Sequence, residues 1–379
     1  MSQKKRRAIV IGAGPAGLAC ALGLSSVCEA VYLVEKRASF EKRGATFGLA
    51  KNGQRAVEEL SPELIECMKQ VGLEGGSTLV FVWWEFRDAI LQSVRGQKNI
   101  KLYCGEEFIS IDDGDDCAKV TFQSGLELAA DFVVGADGVH SHVRNVLGLP
   151  PCIQSENTLF RGSLQVPETA SAELKECLEK NMVPLAIDEI GKVYFVLFNF
   201  HNRHPGRLAW VFSTSVDVEN EGVTPFTLIE QYVKDESKQQ LIKEVLNLSD
   251  KAHLEPYPKT SIVDLSDDTL KSWVNCGFGG KGRITLVGDA AHGMRPTDGY
   301  GGSMAMEDAV VLTRILKENI HANHGLSIQH LLLKFESERL PRVKRVYDNQ
   351  NERYEMRMQQ GKRPGKQDPE FLEWLLAGV

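Results

Sequence analysis

The 379-residue sequence has no apolar run of the roughly 18 residues that a membrane-spanning helix needs. It also has no CxxC pair, and its eight cysteines lie apart from one another and form no cluster with histidine. These absences argue against a transmembrane segment, a metal site and a redox-active disulfide. We therefore expect a cytoplasmic protein without a bound metal, whose cysteines are reduced and mostly buried.

Positive charge is scarce as well. The sequence has 44 lysines and arginines but 51 aspartates and glutamates, which gives a net charge of -7. A chain with this balance has no global positive field to attract nucleic-acid phosphates or an anionic membrane surface. We expect no nucleic-acid partner. With 42% hydrophobic residues, a chain of this length can bury the cores of two domains.

The N-terminal stretch imitates a secretory signal, because basic residues at 4–7 precede an apolar run at 8–24. Three glycines and a proline interrupt this run in a nucleotide-binding pattern, and no small-residue cleavage site follows it. The run is better explained as the first strand and helix of the fold. We therefore expect it to stay in the folded chain.

The pattern GxGxxG lies between a predicted strand at 8–11 and a predicted helix at 15–26. The missing side chains let the backbone approach a pyrophosphate at the helix N-terminus. Glu35 ends the next predicted strand, where a carboxylate accepts hydrogen bonds from ribose hydroxyls. These features predict a dinucleotide site without separating FAD from NAD. Its residues are Gly12, Ala13, Gly14, Pro15, Ala16, Gly17 and Glu35.

A strand exit late in the sequence separates FAD from NAD, and another glycine-acid exit adds to the pattern. A predicted strand at 284–287 leads into Asp289, and an acid at this place can hold the ribityl hydroxyls of a flavin. Glycines beyond it precede a helix whose N-terminus would stabilise the anion of reduced flavin. The other exit, GADG at 135–138, carries Asp137. Each exit alone has a plainer interpretation as a capped turn, but three glycine-acid exits in one chain favour FAD binding.

Four motifs of the chain resemble those of the group A flavin monooxygenases, the para-hydroxybenzoate hydroxylase superfamily. They are GAGPAG with Glu35, Arg87 followed by Ile90 and Val94, GADG with Arg144, and GDAAH with PTDGYGGSMAMEDA. The last motif is most similar in wording to the zeaxanthin epoxidase and salicylate hydroxylase branches. The resemblance implies FAD contacts by Glu35, Lys36, Arg87, Asp137, Asp289, Pro296, Gly299, Gly301 and Gly302.

The resemblance also implies a reaction. NAD(P)H, a transient reductant without a domain of its own, reduces FAD, and O2 then gives a flavin C4a-hydroperoxide. This species hydroxylates or epoxidises a small, largely apolar or aromatic substrate. The flavin carries the chemistry, so no catalytic residue is assigned, and His292 is interpreted as structural. Two alternatives stay open: an FAD-dependent oxidase, reductase or halogenase on the same fold, and a non-catalytic binding protein.

The expected fold is α/β, with a Rossmann-type FAD-binding domain that contains a parallel sheet and an inserted α+β substrate domain. The FAD-binding parts are 1–75, 85–151 and 276–379, the last with C-terminal helices. The substrate domain is 152–275, with a shortened segment at 76–84. On its strands, four residues either face the flavin or pack the core: Arg161, Tyr194, Phe195 and Trp210.

The chain departs from the family pattern at two places. Tyr300 and Ser303 replace the usual glutamine and asparagine of the flavin loop. The interval 72–87 is also shorter than usual, so one wall of the substrate pocket is expected to be missing or to be rebuilt from residues 79–84. An open site of this kind is expected to release hydrogen peroxide when the substrate is small.

Overall fold

The computed structural model describes residues 6–42, 46–155, 158–187, 192–200, 204–216, 218, 223–249, 261–266, 282–296, 299–321, 325–360 and 367–379. In chain order its strands are β1 (Arg6–Ile11), β2 (Cys28–Glu35), β3 (Thr46–Leu49), β4 (Leu73–Gly75), β5 (Thr78–Val82), β6 (Ile100–Cys104), β7 (Phe108–Asp113), β8 (Ala118–Phe122), β9 (Glu127–Ala130), β10 (Phe132–Gly135), β11 (Ile153–Gln154), β12 (Thr158–Gln165), β13 (Met182–Ile187), β14 (Val193–Asn199), β15 (Arg207–Thr214), β16 (Ser261–Ile262) and β17 (Ile284–Leu286). Its helices are α1 (Pro15–Ser25), α2 (Lys51–Leu60), α3 (Pro62–Val71), α4 (Trp83–Arg95), α5 (His142–Val146), α6 (Ala172–Glu176), α7 (Pro225–Tyr232), α8 (Glu236–Leu248), α9 (Asp289–His292), α10 (Gly301–His321), α11 (Ile328–Gln360) and α12 (Pro369–Ala377).

A five-stranded parallel sheet in the order β17-β10-β1-β2-β6 forms the centre of the fold and confirms the predicted α/β class. Side chains of β1 alternate between two cores. Ala8 and Val10 pack in a core shared with α1 and α10, whereas Ile9 and Ile11 pack in a second core shared with β8 and α12. Both faces of the sheet are therefore covered, as is usual for parallel sheets.

The last strand of the parallel sheet, β17, comes from the C-terminal third of the sequence. Strand β17 pairs in parallel with β10, with Val133 opposite Ile284 and Gly135 opposite Leu286. The exits of β1, β10 and β17 consequently lie at one edge, although they are far apart in the sequence. This pairing brings the GADG element and the GDAAH turn together.

Residues 158–214 contain a second, antiparallel sheet in the order β12-β15-β14-β13. Helices α7 and α8 contribute to the core on one of its faces, in which Phe195 and Trp210 stack with ring centroids 5.6 Å apart. The indole nitrogen of Trp210 donates a hydrogen bond to Ser249 Oγ at 2.8 Å, so the buried ring has no unsatisfied donor. This face of the sheet is thus a closed core.

The shortened segment belongs to a small antiparallel sheet in the order β3-β5-β4, which was not predicted from the sequence. Leu73 and Val80 of this sheet pack against Phe200 and Ala209 from the region of the larger antiparallel sheet. Within the shortened segment, residues 78–82 form a paired strand of this sheet. The larger sheet therefore has a partner on its second face.

Within the described ranges, no helix combines the length and the apolar character that a membrane span requires. The same residues contain no group of three or more His, Cys, Asp and Glu side chains placed to hold a metal ion. The described cysteines are free thiols, but the expectation that most are buried was wrong, because Cys67 and Cys104 are exposed and Cys117 and Cys152 half-buried. The eighth, Cys276, lies outside the described residues.

Candidate cofactor site

A cavity of about 460 Å³ opens at the carboxyl edge of the parallel sheet. The exits of β1, β2 and β10 form one side, and the first turns of α1 and α10 lie beside it. Open parallel sheets bind their ligands at this edge. All four sequence motifs reach the cavity. The predicted residues that line it are Gly12, Ala13, Gly14, Pro15, Ala16, Glu35, Lys36, Arg87, Asp137, Asp289, Gly301 and Gly302.

The turn between β1 and α1 brings backbone amides to the cavity. Gly12 has a φ of 103°, and a Cβ there would collide with the carbonyl of Ala136 on the neighbouring strand exit. A Cβ on Gly17 would collide with the Gly12 carbonyl, so Gly17 serves this packing and is not among the residues that line the cavity. The space around Gly14 is open, and no side chain caps α1. Amides of its first turn are therefore available to an anion.

Glu35 is fixed at the cavity edge by two backbone amides. Its Oε2 accepts a hydrogen bond from Ala13 N at 2.9 Å, and its Oε1 accepts one from Arg37 N at 3.1 Å. Each carboxylate oxygen keeps a lone pair for a further donor. The geometry is compatible with the ribose contact that the sequence predicts.

Arg87 brings a buried positive charge to the cavity from α4. Only 3% of its surface is exposed. Its Nη2 and Nε donate hydrogen bonds to Asp88 Oδ1 at 2.6 and 2.9 Å, and the guanidinium lies 5.3 Å from the ring centroids of both Phe40 and Trp83. The cation is thus held in one orientation. Together with the exposed Lys36, it supplies positive charge suited to a pyrophosphate.

The GADG element has structural roles beside its place in the cavity. Asp137 Oδ2 accepts hydrogen bonds from two backbone amides of α5, at 2.7 and 3.2 Å, so it caps this short helix. Arg144 is 2% exposed and donates to the carbonyls of Ala290 and Ala291, each at 3.3 Å. Burial lowers the pKa of Arg144 to about 10. Arg144 therefore ties the GADG element to the GDAAH turn and does not line the cavity.

Asp289 begins α9, and the accessible part of its side chain faces the cavity. Burial of the carboxyl group in this recess raises the pKa of Asp289, against a lowering effect of His292 and with a further raising effect of Asp308. A Cβ on Gly301 would meet Asp289 Oδ1 at 3.9 Å and nothing closer, so open space separates the carboxyl group from the first turn of α10. A carboxyl group and bare helix amides thus face the same part of the cavity.

The flavin-loop residues Pro296 and Gly299 do not line the cavity and are exposed. The residues between them, 297 and 298, lie outside the described ranges. The two departures from the family pattern have packing partners. Tyr300 is buried in the second core, and Ser303 Oγ accepts a hydrogen bond from Ala50 N at 2.9 Å. Tyr300 and Ser303 therefore hold the end of this loop in place.

The four candidates for substrate contact lie on two different faces of the larger antiparallel sheet. Of the two alternatives, Phe195 and Trp210 take the core one and are not substrate contacts, because strand alternation points them to the face covered by α7 and α8, where both are fully buried. Arg161 is half-buried and Tyr194 is 37% exposed. Both alternate with core residues and so lie on the opposite face. None of the four lines the cavity.

Aromatic residues of the cavity wall were missed from the sequence: Phe40, Phe47 and Trp83. Phe47 stacks on Phe86 with ring centroids 4.2 Å apart, and a Cβ on Gly302 would collide with its ring. Glycine at 302 is therefore needed for the approach of Phe47 as well as for an open helix terminus. A second consecutive glycine at the start of a helix was the available signal for such a close neighbour.

These groups fit FAD in particular. Glu35 and the β1-α1 turn suit an adenosine ribose and a pyrophosphate, for which Arg87 adds positive charge. Asp289 and the amides of α10 suit a polyhydroxyl chain and the anionic edge of a flavin ring. The space beside Gly14 and Gly301, which no side chain fills, connects the two sets through one cavity.

Comparison with known proteins points the same way. A family model described as FAD binding domain matches residues 82–350. The FAD-dependent monooxygenase cle3 of Aspergillus versicolor is 24% identical over 396 residues, covering 90% of this chain and 74% of that protein. Salicylate hydroxylase of Pseudomonas putida is 26% identical over 389 residues, covering 92% and 86%. The crystal structure of CtdE in complex with FAD matches with a TM-score of 0.74 at 15% identity, covering 93% of this chain and 94% of that one, which shows a shared fold.

Proposed function

This chain belongs to the FAD binding domain family, and on that premise we propose that it is an FAD-dependent monooxygenase of the group A type, which consumes NAD(P)H and O2. One observation carries the proposal. Residues from four separate motifs, between positions 12 and 302, line a single cavity at the carboxyl edge of the parallel sheet. Such convergence is what a long dinucleotide cofactor requires.

The residues of the cavity divide into two sets. Glu35 accepts hydrogen bonds from the adenosine ribose, the amides after Gly12 hold the pyrophosphate, and Arg87 with Lys36 balances its charge. Asp289 takes the ribityl hydroxyls. We also assign FAD contacts to Asp137, Gly301 and Gly302 in the cavity wall. Pro296 and Gly299, in the adjoining loop, complete the proposed contacts.

The chain itself contributes binding, orientation and exclusion of water. When bound, FAD supplies the transfer of electrons from NAD(P)H to dioxygen. The N-terminal amides and the dipole of α10 are placed to stabilise the negative charge of a reduced flavin beside Gly301. No side chain of this site is assigned as an acid or a base, since the stabilisation comes from fixed dipoles and from a dry environment.

We propose that residues 152–275 form the substrate domain. The FAD-binding domain then consists of residues 1–75, 85–151 and 276–379. The shortened segment 76–84 is assigned to the substrate domain, and its Val80 packs against part of the second face of the larger antiparallel sheet, beside Phe200 and Ala209. On that face, Arg161 and Tyr194 are the proposed substrate contacts. A small apolar or aromatic molecule suits a site of this kind, and salicylate is the first compound to assay, because a relative is named salicylate hydroxylase.

The protein is proposed to act in the cytoplasm and without a nucleic-acid partner. The described cysteines are free thiols, which persist in a reducing compartment. The acidic net charge of -7 gives no support to phosphate-backbone binding. Its partners are then the small substrate, NAD(P)H and O2.

The test is a stoichiometric assay of purified protein. We expect flavin absorbance, NAD(P)H oxidation that depends on an aromatic substrate, and one oxygenated product per NAD(P)H consumed, minus the hydrogen peroxide released. Oxidation of substrate without consumption of NAD(P)H would instead identify an oxidase. A colourless protein that binds no FAD on titration would contradict the proposal. Comparison of salicylate with a long apolar substrate measures how well the segment 76–84 closes the site.

A further inference from the structure

Two adjacent acids of α10 are fully buried and paired with two arginines of α11. Arg339 donates to Glu307 Oε2 and Asp308 Oδ1, each at 2.8 Å, and Arg342 donates to both oxygens of Glu307, at 2.6 and 2.7 Å. Glu307, Asp308 and Arg339 have no exposed surface, and Arg342 has 9%. This cluster balances two negative and two positive charges in the protein interior, and it lies between the cavity and the C-terminal part of the chain.

Asp308 connects this cluster to the turn that presents Asp289. Its Oδ2 accepts hydrogen bonds from Gly288 N at 2.8 Å and from His292 Nε2 at 2.7 Å. Gly288 precedes α9 and His292 is its last residue, so Asp308 holds both ends of the helix that begins with Asp289. The interpretation of His292 as a structural residue agrees with this geometry.

Arg342 connects the same cluster to the C-terminal helix α12. It donates to the carbonyl of Leu375 at 2.8 Å, and its guanidinium lies 4.6 Å from the ring centroid of Trp374. Arg55 donates to the carbonyls of Leu376 and Ala377 at 2.8 and 2.6 Å. Carbonyls at the end of a helix have no partner within the helix, so these two arginines satisfy groups that α12 alone leaves open.

The apolar contacts of α12 reach the same place. Phe371 and Leu375 are buried in the second core, which also contains Ala290 and Ala291 of α9 and Met304 of α10. Helix α12 therefore packs in one core with the elements that carry Asp289 and Gly301. Charge pairing and apolar packing both couple α12 to the inner wall of the cavity.

From these contacts we infer that Arg342 is a positioning residue of the cofactor site, through which α12 holds the wall that binds the flavin half of FAD. The inference rests on the proposed function. If Arg342 is removed, Glu307 loses both of its Arg342 hydrogen bonds and stays buried beside Asn52 and Arg339. Its rearrangement shifts the first turns of α10 and, through Asp308 and Gly288, the carboxyl group of Asp289. The adenosine set around Glu35 has no contact with this cluster among the described hydrogen bonds.

The experiment titrates stripped full-length protein with FAD and, separately, with ADP, which contains only the adenosine half. Arg342→Met should lower FAD affinity by roughly tenfold or more and leave ADP affinity within about twofold of wild type. Arg342→Lys keeps the charge without the planar fork and should give an intermediate loss. Lys344→Met is the matched control, since it removes a cation of the same helix whose partner Asp348 is exposed. It should change neither affinity.

The outcomes are separable. Equal losses of FAD and ADP affinity in Arg342→Met would mean general destabilisation and would overturn the inference, as would unchanged FAD affinity. If this variant does not fold, Trp374→Ala replaces it and should weaken FAD by roughly two- to fivefold, again with ADP unaffected. If wild type binds ADP but not FAD, the proposed function itself fails, and the inference with it.

Discussion

The two ends of the cavity are built in different ways. The adenosine end comes from a single βαβ unit, residues 6–35, in which Glu35 accepts a hydrogen bond from Ala13 N. The flavin end depends on Asp289 and Gly301, whose supports are buried charges on α10 and α11. The first end is specified by a local motif. The second is specified by contacts between distant segments, so it should be the end that distant substitutions damage.

The largest expected effect is that of Asp308→Asn. The variant removes a buried charge that pairs with Arg339 and His292, and breaking such a pair costs about 3–5 kcal/mol of unfolding free energy. Denaturant unfolding of the protein without FAD measures this cost. Asp348→Ala is the control, because its exposed pair with Lys344 is worth about 0–1 kcal/mol. Equal stability of Asp308→Asn and wild type would show that the cluster does not support the flavin end.

Acid should weaken the flavin end through the same cluster. Burial raises the pKa of Asp308, but His292 and Arg339 outweigh this effect and lower the pKa below its ordinary value. Burial likewise raises the pKa of Glu307, and Arg342 and Arg339 lower it below its ordinary value. Carboxyl groups with a lowered pKa stabilise the fold above their ordinary values near 4, and this stability is lost as the pH falls through the folded-state pKa. Wild type should therefore lose stability below about pH 4, and Asp308→Asn should lose less over that range. Parallel pH profiles for both proteins would contradict this.

The next effect is on cofactor binding alone. Asp289→Ala should weaken FAD by roughly tenfold or more, because each lost charge-assisted hydrogen bond is worth about 1.5–3 kcal/mol. The protein without FAD should stay folded, since the side chain of Asp289 is exposed to the cavity and is not part of a packed core. Glu318→Ala, which removes an exposed carboxylate paired with Lys334 outside the cavity, is the control and should leave FAD affinity unchanged. Normal FAD affinity in Asp289→Ala with loss of oxygen transfer only would assign this residue a different role.

Glu35→Ala tests the adenosine end and completes the comparison. It should weaken FAD by about tenfold and ADP by a similar factor, because both ligands contain the ribose that Glu35 addresses. Glu29→Ala, on the same strand and paired at the surface with Arg7, should change neither affinity. If FAD weakens while ADP does not, Glu35 does not contact the adenosine ribose.

The last effect concerns the contact of Phe47 with the first turn of α10. Gly302→Ala should cost about 1–3 kcal/mol of unfolding free energy, since the new methyl group collides with the Phe47 ring. Phe47→Leu combined with Gly302→Ala should recover part of this loss, which a double-mutant cycle measures. Additive effects of the two substitutions would mean that the ring moves away without cost.

The same contrast explains how much was predictable from the sequence. Strand β1 and helix α1 were predicted close to their observed limits, because hydrophobic periodicity and the glycine turn are local signals. The sheet of β3, β4 and β5 was missed, since its pairing joins residues 46–49 to 73–82. The roles of Arg144 and Arg342 were missed for the same reason, as their partners lie far away in the chain. For Phe195 and Trp210, alternation alone did not tell which sheet face the helices cover.

The most direct test of the account is a set of three titrations of stripped wild-type protein, with FAD, FMN and ADP, monitored by calorimetry. If both ends of one cavity hold the two halves of one cofactor, FAD should bind at least roughly tenfold more tightly than either FMN or ADP. FMN binding as tight as FAD binding would contradict the account, because the adenosine end around Glu35 would then contribute nothing.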